Sequence, residues 1–148
     1  MRSMEASPMT EAIVYIDRSV IRPGRIDELE RGVTTLVEFI RAREPQLLFY
    51  GFTIDRAASS MTVVAVHPDS ASIELHLRIG GPEFRKLADF IDLRSIELYG
   101  RPSETVLHLL DEKARMLGEG GSVVVHDLHA AFARTGVDRD DPGAGVRS

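Results

Sequence analysis

The sequence predicts an α+β fold of element order β-α-β-β-α-β with a helix–strand extension at its C-terminal side. Three observations lead there. A β-branched and aromatic run, Ala12 to Ile21, passes through Pro23-Gly24 into a stretch with helical apolar spacing. Two further apolar runs are separated by a polar segment of hairpin length. A second helical segment then leads to a fourth strand-like run. That order is the split, ferredoxin-like pattern.

Each element has its own justification. AIVYIDRSVI reads as a strand, and Pro23-Gly24 is a turn that also opens a helix. From Arg25 the apolar residues Ile26, Leu29, Val33, Leu36, Val37 and Ile40 fall on one helical face, and Pro45 ends the run. Leu47 to Ile54 and Met61 to Val66 are strands joined by DRAASS. Ser70 to Leu77 is a helix capped by Asp69 or Ser70, with Gly80-Gly81-Pro82 predicted to break it. Glu83 to Phe90 follows as a short helical piece, and Arg94 to Tyr99 as the fourth strand. Ser103 to Leu117 carries Val106, Leu107, Leu110, Ala114 and Leu117 along one side, with Ser103 as cap and Gly118 as stop. The run GSVVVHD is a short fifth strand. The organisation expected is therefore a flexible N-terminus (1–11), a ferredoxin-like unit (12–100), a helix–strand extension of the same unit (101–134) and a flexible polar tail (135–148).

Composition narrows the function. A formal charge of −5 without a basic cluster disfavours a nucleic-acid surface, where phosphates demand concentrated Lys and Arg. The absence of Cys excludes disulfides and thiolate metal sites and suits a reducing cytoplasm. MRSMEASPMT lacks the apolar core of a signal peptide, and no run is long enough to span a bilayer, so the expectation is a cytoplasmic protein without membrane contact. Both parities of the middle strands, Leu47 to Phe52 and Val63 to Val66, are apolar, although helices cover only one side of such a sheet. Five exposed apolar side chains would forgo about 1.5–3 kcal/mol each. The expected cover is the sheet of a second copy, a homodimer packed face to face.

IDRSVIRPGRIDEL, TVVAVHPDSASIELHL and RSIELYG together resemble the antibiotic biosynthesis monooxygenase domain of the dimeric α/β-barrel superfamily, over about Ala12 to Gly100. The resemblance implies a pocket between sheet and helices in each subunit, lined from the first strand and the second helix. It places Asp17 where haem-degrading relatives carry a pocket Asn, and His76 where they carry Trp and quinol-oxygenase-like members often carry His. The position that supplies their haem-ligating His is Ala88 here, and the chain has no Trp, so the resemblance points away from haem degradation. Because the superfamily also holds dehydratases, isomerases and members without known chemistry, the fold does not name the reaction.

The residues supply a chemistry of their own. An electron-rich phenolate or hydroquinone anion can donate an electron directly to triplet oxygen, so an oxygenase without metal or flavin needs only to bind an aromatic and remove a proton. A histidine near its unperturbed pKa is the natural base, contributing roughly 10²- to 10⁴-fold. The sequence therefore nominates His76 as base and Asp17 as the residue that orients it or accepts a substrate hydroxyl. Tyr15 and Ser19 share the strand parity of Asp17, and Tyr50, Phe52 and Phe84 are the further substrate-contacting candidates. No glycine-rich phosphate cradle is present, and no cofactor or metal is expected. His126 and His129 lack a partner carboxylate at ligand spacing, His67 reads as a strand-end or loop residue, and His108 as a solvated one. Each candidate also has a plainer reading, with His76 half-buried and structural, Asp17 neutralised by an arginine and the aromatics simply packing. Two function classes therefore stand. One is a cofactor-independent monooxygenase acting on a quinol-like or polycyclic aromatic molecule. The other is a non-catalytic dimeric module that binds a small molecule or a partner.

Overall fold

The computed structural model describes residues 10–134, which leaves nearly all of the expected flexible ends, 1–11 and 135–148, outside the described residues. The elements in chain order are β1 (Ile13–Ile21), α1 (Ile26–Arg43), β2 (Phe49–Asp55), β3 (Ser60–His67), α2 (Ser70–Arg85), a 3-10 turn (Lys86–Asp89), β4 (Ile91–Tyr99), α3 (Glu104–Leu117) and β5 (Ser122–His126). The strands form one sheet in the order β2-β3-β1-β4-β5. Pairs among the first four are antiparallel, and β5 runs parallel to β4. This is the ferredoxin-like arrangement, extended by one strand.

Strand alternation decides what faces the helices. On the central strand β1, Ile13, Tyr15, Asp17, Ser19 and Ile21 are buried while Val14, Ile16, Arg18 and Val20 are not. The stripe of α1 buries Leu29, Val33, Leu36 and Ile40 against that face, as the spacing requires. Ile73 and Phe84 of α2 and Val106, Leu110, Ala114 and Leu117 of α3 complete the same core. All three helices thus lie on one side of the sheet. The other side carries half-buried Val14, Ile16, Val64 and Val66, with Phe49 55% exposed at the edge, and no element among the described residues covers it.

Local signals set the helix ends. Asp69 accepts a hydrogen bond from the Ser72 N–H at 2.9 Å and so caps α2, and Ser103 accepts from the Val106 N–H at 3.1 Å and caps α3. Gly24 adopts φ +76° in the turn before α1, where a side chain would be strained.

Several expectations need correction. Gly80-Gly81-Pro82 does not break α2, which continues to Arg85 with Pro82 inside it. Here Gly80 serves packing: a Cβ at that position would lie 2.4 Å from Cζ of Phe84, so the bare Cα is what admits the ring. The fourth strand begins at Ile91 rather than Arg94. Its register against β1 shifts at Arg18/Ser19, a bulge that leaves Arg94 unpaired and lets both Ile91/Leu93 and Ile96/Leu98 point inward despite their mismatched spacing. The C-terminal strand β5 pairs with β4, Ile96 beside Val123 and Leu98 beside Val125. Parallel neighbours need a crossover, and α3 supplies it. Of the two readings of His67, strand end or loop, the structure has the first: it is the last residue of β3 and is 1% exposed.

Candidate active site

Three consecutive inward positions of β1 are polar. Tyr15, Asp17 and Ser19 are 5%, 3% and 3% exposed in the middle of the sheet, where each polar atom needs a partner or costs several kcal/mol. Tyr15 donates its hydroxyl to Oδ2 of Asp17 at 2.5 Å. Lys113, from the inner side of α3, donates to the Tyr15 oxygen at 2.8 Å and stands 3.6 Å from Oδ2 of Asp17. Its ammonium also lies over the rings of Phe84 and Tyr15, at 4.5 and 4.9 Å from their centroids. Ser19 Oγ is the one buried side-chain oxygen or nitrogen among the described residues without a hydrogen-bond partner.

Burial controls the protonation of this set. It raises the Asp17 pKa, against the opposing pull of the Lys113 charge and the Tyr15 hydrogen bond. It lowers that of Lys113, which Asp17 in turn resists. The Tyr15 phenol is pushed well above its ordinary value, first by burial and then by the Asp17 charge, and stays a neutral donor. A proton acceptor and a proton donor thus share one water-poor site.

A second polar set lies alongside. His76, 5% exposed on the inner side of α2, places Nδ1 at 2.9 and 3.0 Å from the two carboxylate oxygens of Glu44, the C-cap residue of α1. Burial lowers the His76 pKa, with Glu44 opposing, so the ring donates its Nδ1 hydrogen to the carboxylate and keeps the Nε2 lone pair. His67 packs against the His76 ring at 5.3 Å and shares a hydrogen bond between its Nδ1 and the Ser72 hydroxyl, 2.8 Å away. Its pKa falls to about 3, chiefly through burial.

Asp17, Ser19, Tyr50, Phe52, Phe84 and Lys113 line one small cavity, walled otherwise by apolar residues of α1, β3, β4 and α3. Its volume is about 20 Å³, room for a single water molecule. The structure therefore brings Asp17, Ser19, Tyr50, Phe52 and Phe84 to one cavity, whereas Tyr15, also singled out, does not line it and meets it only through its hydrogen bond to Asp17; two further differences concern His76 and Asp17. His76 does not line the cavity; it sits behind Tyr50 and Phe84, whose rings it meets at 5.1 Å each. Nor does Asp17 orient its imidazole, because Glu44 holds that position.

Glu44 and Lys113 were not found by sequence reasoning. Glu44 stands at a helix end before Pro45, and only its place beside an inward histidine distinguishes it. Lys113 did leave a trace, since it stands one residue before Ala114 and three after Leu110 on the apolar side of its helix, where a solvated lysine does not belong. Among the described residues no cluster of three or more His, Asp or Glu is placed to hold a metal ion. His126 instead stacks on Tyr99 at 4.5 Å on the open face, and His108 and His129 are exposed. Ala88, half-buried in the 3-10 turn, offers no donor atom, so the residues present do not fit a haem ligated there.

No family model and no curated protein matches the chain. Solved structures do. MupZ from Pseudomonas fluorescens superposes with a TM-score of 0.67 at 19% identity, over 86% of this chain and 92% of that one. SnoaB, a cofactor-independent oxygenase from Streptomyces nogalater, matches with a TM-score of 0.53 at 19% identity, over 63% of this chain and 95% of that one. A structure described as an antibiotic biosynthesis monooxygenase matches with a TM-score of 0.53 at 21% identity, over 62% and 99%. The chain therefore has the fold of the antibiotic biosynthesis monooxygenase-type structures. Residues 12–100 alone cannot account for the share matched by MupZ, so that likeness includes the helix–strand extension and the element that bears Lys113.

Proposed function

We propose that this chain is an acid–base enzyme that works as a cofactor-independent monooxygenase on a quinol-like or polycyclic aromatic small molecule. The observation that carries the reading is Asp17, a carboxylate 3% exposed on the wall of an internal cavity whose burial raises its pKa toward the range of a working base. In this reading Asp17 takes a hydroxyl or activated C–H proton from the substrate. The resulting anion passes an electron to dioxygen, the radicals combine to a peroxide, and loss of water leaves a ketone or quinone. One oxygen atom enters the product and the other departs as water, with the substrate supplying all four electrons that dioxygen takes up. Tyr15 relays protons between Lys113 and Asp17, and Tyr50, Phe52 and Phe84 contribute the apolar walls. His76, neutral with Nε2 free, is the second candidate base, one ring removed from the cavity.

The fold shared with SnoaB supports this reading. The open sheet face supports a homodimer: Val14, Ile16, Val64 and Val66 are half-buried there with no cover from the described residues. As for location, no helix among the described residues is long and apolar enough to cross a membrane. The small cavity favours the second reading, a non-catalytic module of the same fold.

Oxygen uptake against a panel of hydroquinones and anthrones separates the two. Turnover that Asp17→Asn lowers by roughly 10²- to 10⁴-fold, and His76→Gln by much less, is the expected result. The reverse order would move the base to His76, and product formed without oxygen uptake would leave acid–base chemistry but remove the oxygenase. No turnover with any member of the panel would favour the binding module.

A further inference from the structure

The cavity holds more hydrogen-bond donors than its own residues use. Ser19 Oγ has no partner, although it is 3% exposed and faces the space. An ammonium carries three donors, and the one hydrogen bond that Lys113 makes among the described residues goes to Tyr15. Its approach to Asp17, 3.6 Å, is an electrostatic contact longer than a hydrogen bond. A lysine present merely to neutralise Asp17 would close on the carboxylate directly; here Tyr15 accepts from one and donates to the other. A buried charge pair is also weak evidence for stability, since apolar residues of equal size commonly serve the core as well or better.

A path leads to these donors from outside. Phe84 and Lys113 line both the internal cavity and a groove of about 220 Å³ between α2 and α3, bounded otherwise by Leu77, Gly81, Arg85, Leu109, Glu112 and Met116. Two side chains thus separate the cavity from that groove. Phe84 rests on the bare Cα of Gly80, in a stretch of α2 where Pro82 donates no backbone hydrogen bond. Swinging the ring aside joins the two spaces into one near the smallest of small-molecule sites, roughly 300 Å³.

We propose that Ser19 Oγ and Lys113 Nζ form an oxyanion-binding site, entered from the α2–α3 groove, whose ligand is a neutral weak oxygen acid, a phenol or an enol, that ionises on binding. The inference rests on the acid–base reading above and adds the group that receives the developing charge. Proton and charge balance select a weak acid over a preformed anion. The O–H proton passes to the Asp17 carboxylate, the O–H bond breaking as the new one forms. The phenolate or enolate then lies beside the Lys113 ammonium with the site's net charge unchanged. A carboxylate brought in from solution would instead meet Asp17 still charged, and would add one unit of negative charge to a buried site.

The probe is 4-nitrophenol, whose anion is yellow and whose neutral form is not, titrated into the full-length protein over a range of pH. Saturable binding in which the probe ionises about tenfold or more readily than in water is expected for the wild type. Lys113→Met abolishes that shift, and Ser19→Ala weakens binding of the anion by roughly tenfold or more. Should the lone substitution disturb folding by stranding Asp17, the double variant Asp17→Asn/Lys113→Met removes both charges together, and the expectation is a folded protein that binds only the colourless form. Any of four results overturns the proposal: a colourless bound probe in the wild type, an unchanged shift in Lys113→Met, no saturable binding at millimolar probe, or tighter binding of benzoate than of nitrophenol. The readout needs neither oxygen nor turnover, so it can stand while the oxygenase reading fails. Conversely, oxygen uptake that survives in Lys113→Met would remove this site and leave that reading intact.

Discussion

Acidification should unmask His67. The residue is 1% exposed at the end of β3, is hydrogen-bonded through Nδ1 to the Ser72 hydroxyl, and has its pKa held at about 3 against 6.5 for the exposed side chain. The unfolded chain therefore takes up a proton on His67 as pH falls through 6.5, while the folded chain refuses it until about pH 3. In that window the unfolded state binds more protons and stability falls as pH falls. Each pH unit is worth about 1.4 kcal/mol once protonation of the unfolded side chain is complete. From pH 7 to pH 5 the His67 contribution comes to a loss of about 2 kcal/mol. Burial moves His76 in the same direction, so the wild type is expected to lose more than this in total. The variant His67→Asn isolates the contribution, because a side-chain amide near the Nδ1 position still hydrogen-bonds to Ser72 and cannot titrate. Urea unfolding of both proteins at the two pH values is the assay. The variant starts lower through lost ring packing, but its loss between pH 7 and pH 5 should be smaller than the wild type's by about 2 kcal/mol. Equal losses in the two proteins would refute the assignment of a buried, uncharged His67.

Gly80→Ala should lower the melting temperature: better helix propensity returns up to about 1 kcal/mol, but a Cβ placed 2.4 Å from the Phe84 ring costs about 1–3 kcal/mol of overpacking, and a raised melting temperature would show the ring is not packed there. Ile16→Lys, at the centre of the open sheet face, should convert a dimer to a monomer in sedimentation at micromolar concentration, while a wild type already monomeric would end the dimer proposal. Truncation after Gly100 removes Val106, Leu110, Ala114 and Leu117, all 4% exposed or less, and with them on the order of 5–10 kcal/mol of burial, comparable to the whole stability of a domain. Circular dichroism should show the shortened chain unfolded; a folded fragment with an unchanged melting temperature would make the extension dispensable.

Much of the fold was legible because the signals were local. The stripe Leu29, Val33, Leu36, Ile40 makes α1 through its own periodicity, and Asp69 and Ser103 cap their helices through contacts three residues away. Where neighbours remote in sequence decided, the reading went astray. Gly80-Gly81-Pro82 looks like a helix end until Phe84 is seen to occupy the space the glycine leaves, and no periodicity reveals the bulge that re-aims Ile96 and Leu98. The inward parity of Tyr15, Asp17 and Ser19 could be read from a strand period of two. Their partners could not.

The sequence by itself determined which residues each strand and helix turns inward, because backbone geometry repeats every two or 3.6 residues whatever surrounds it. Only the tertiary structure decided what those residues meet. Glu44 reaches His76 across 32 positions, and Lys113 reaches Tyr15 across 98. The crossover helix α3 takes its place because β5 pairs with β4, and that pairing sets a lysine above the polar row of β1. Such contacts arise from the packing of whole elements, in which the burial of apolar faces fixes the geometry and the polar groups carried inward must find partners within it.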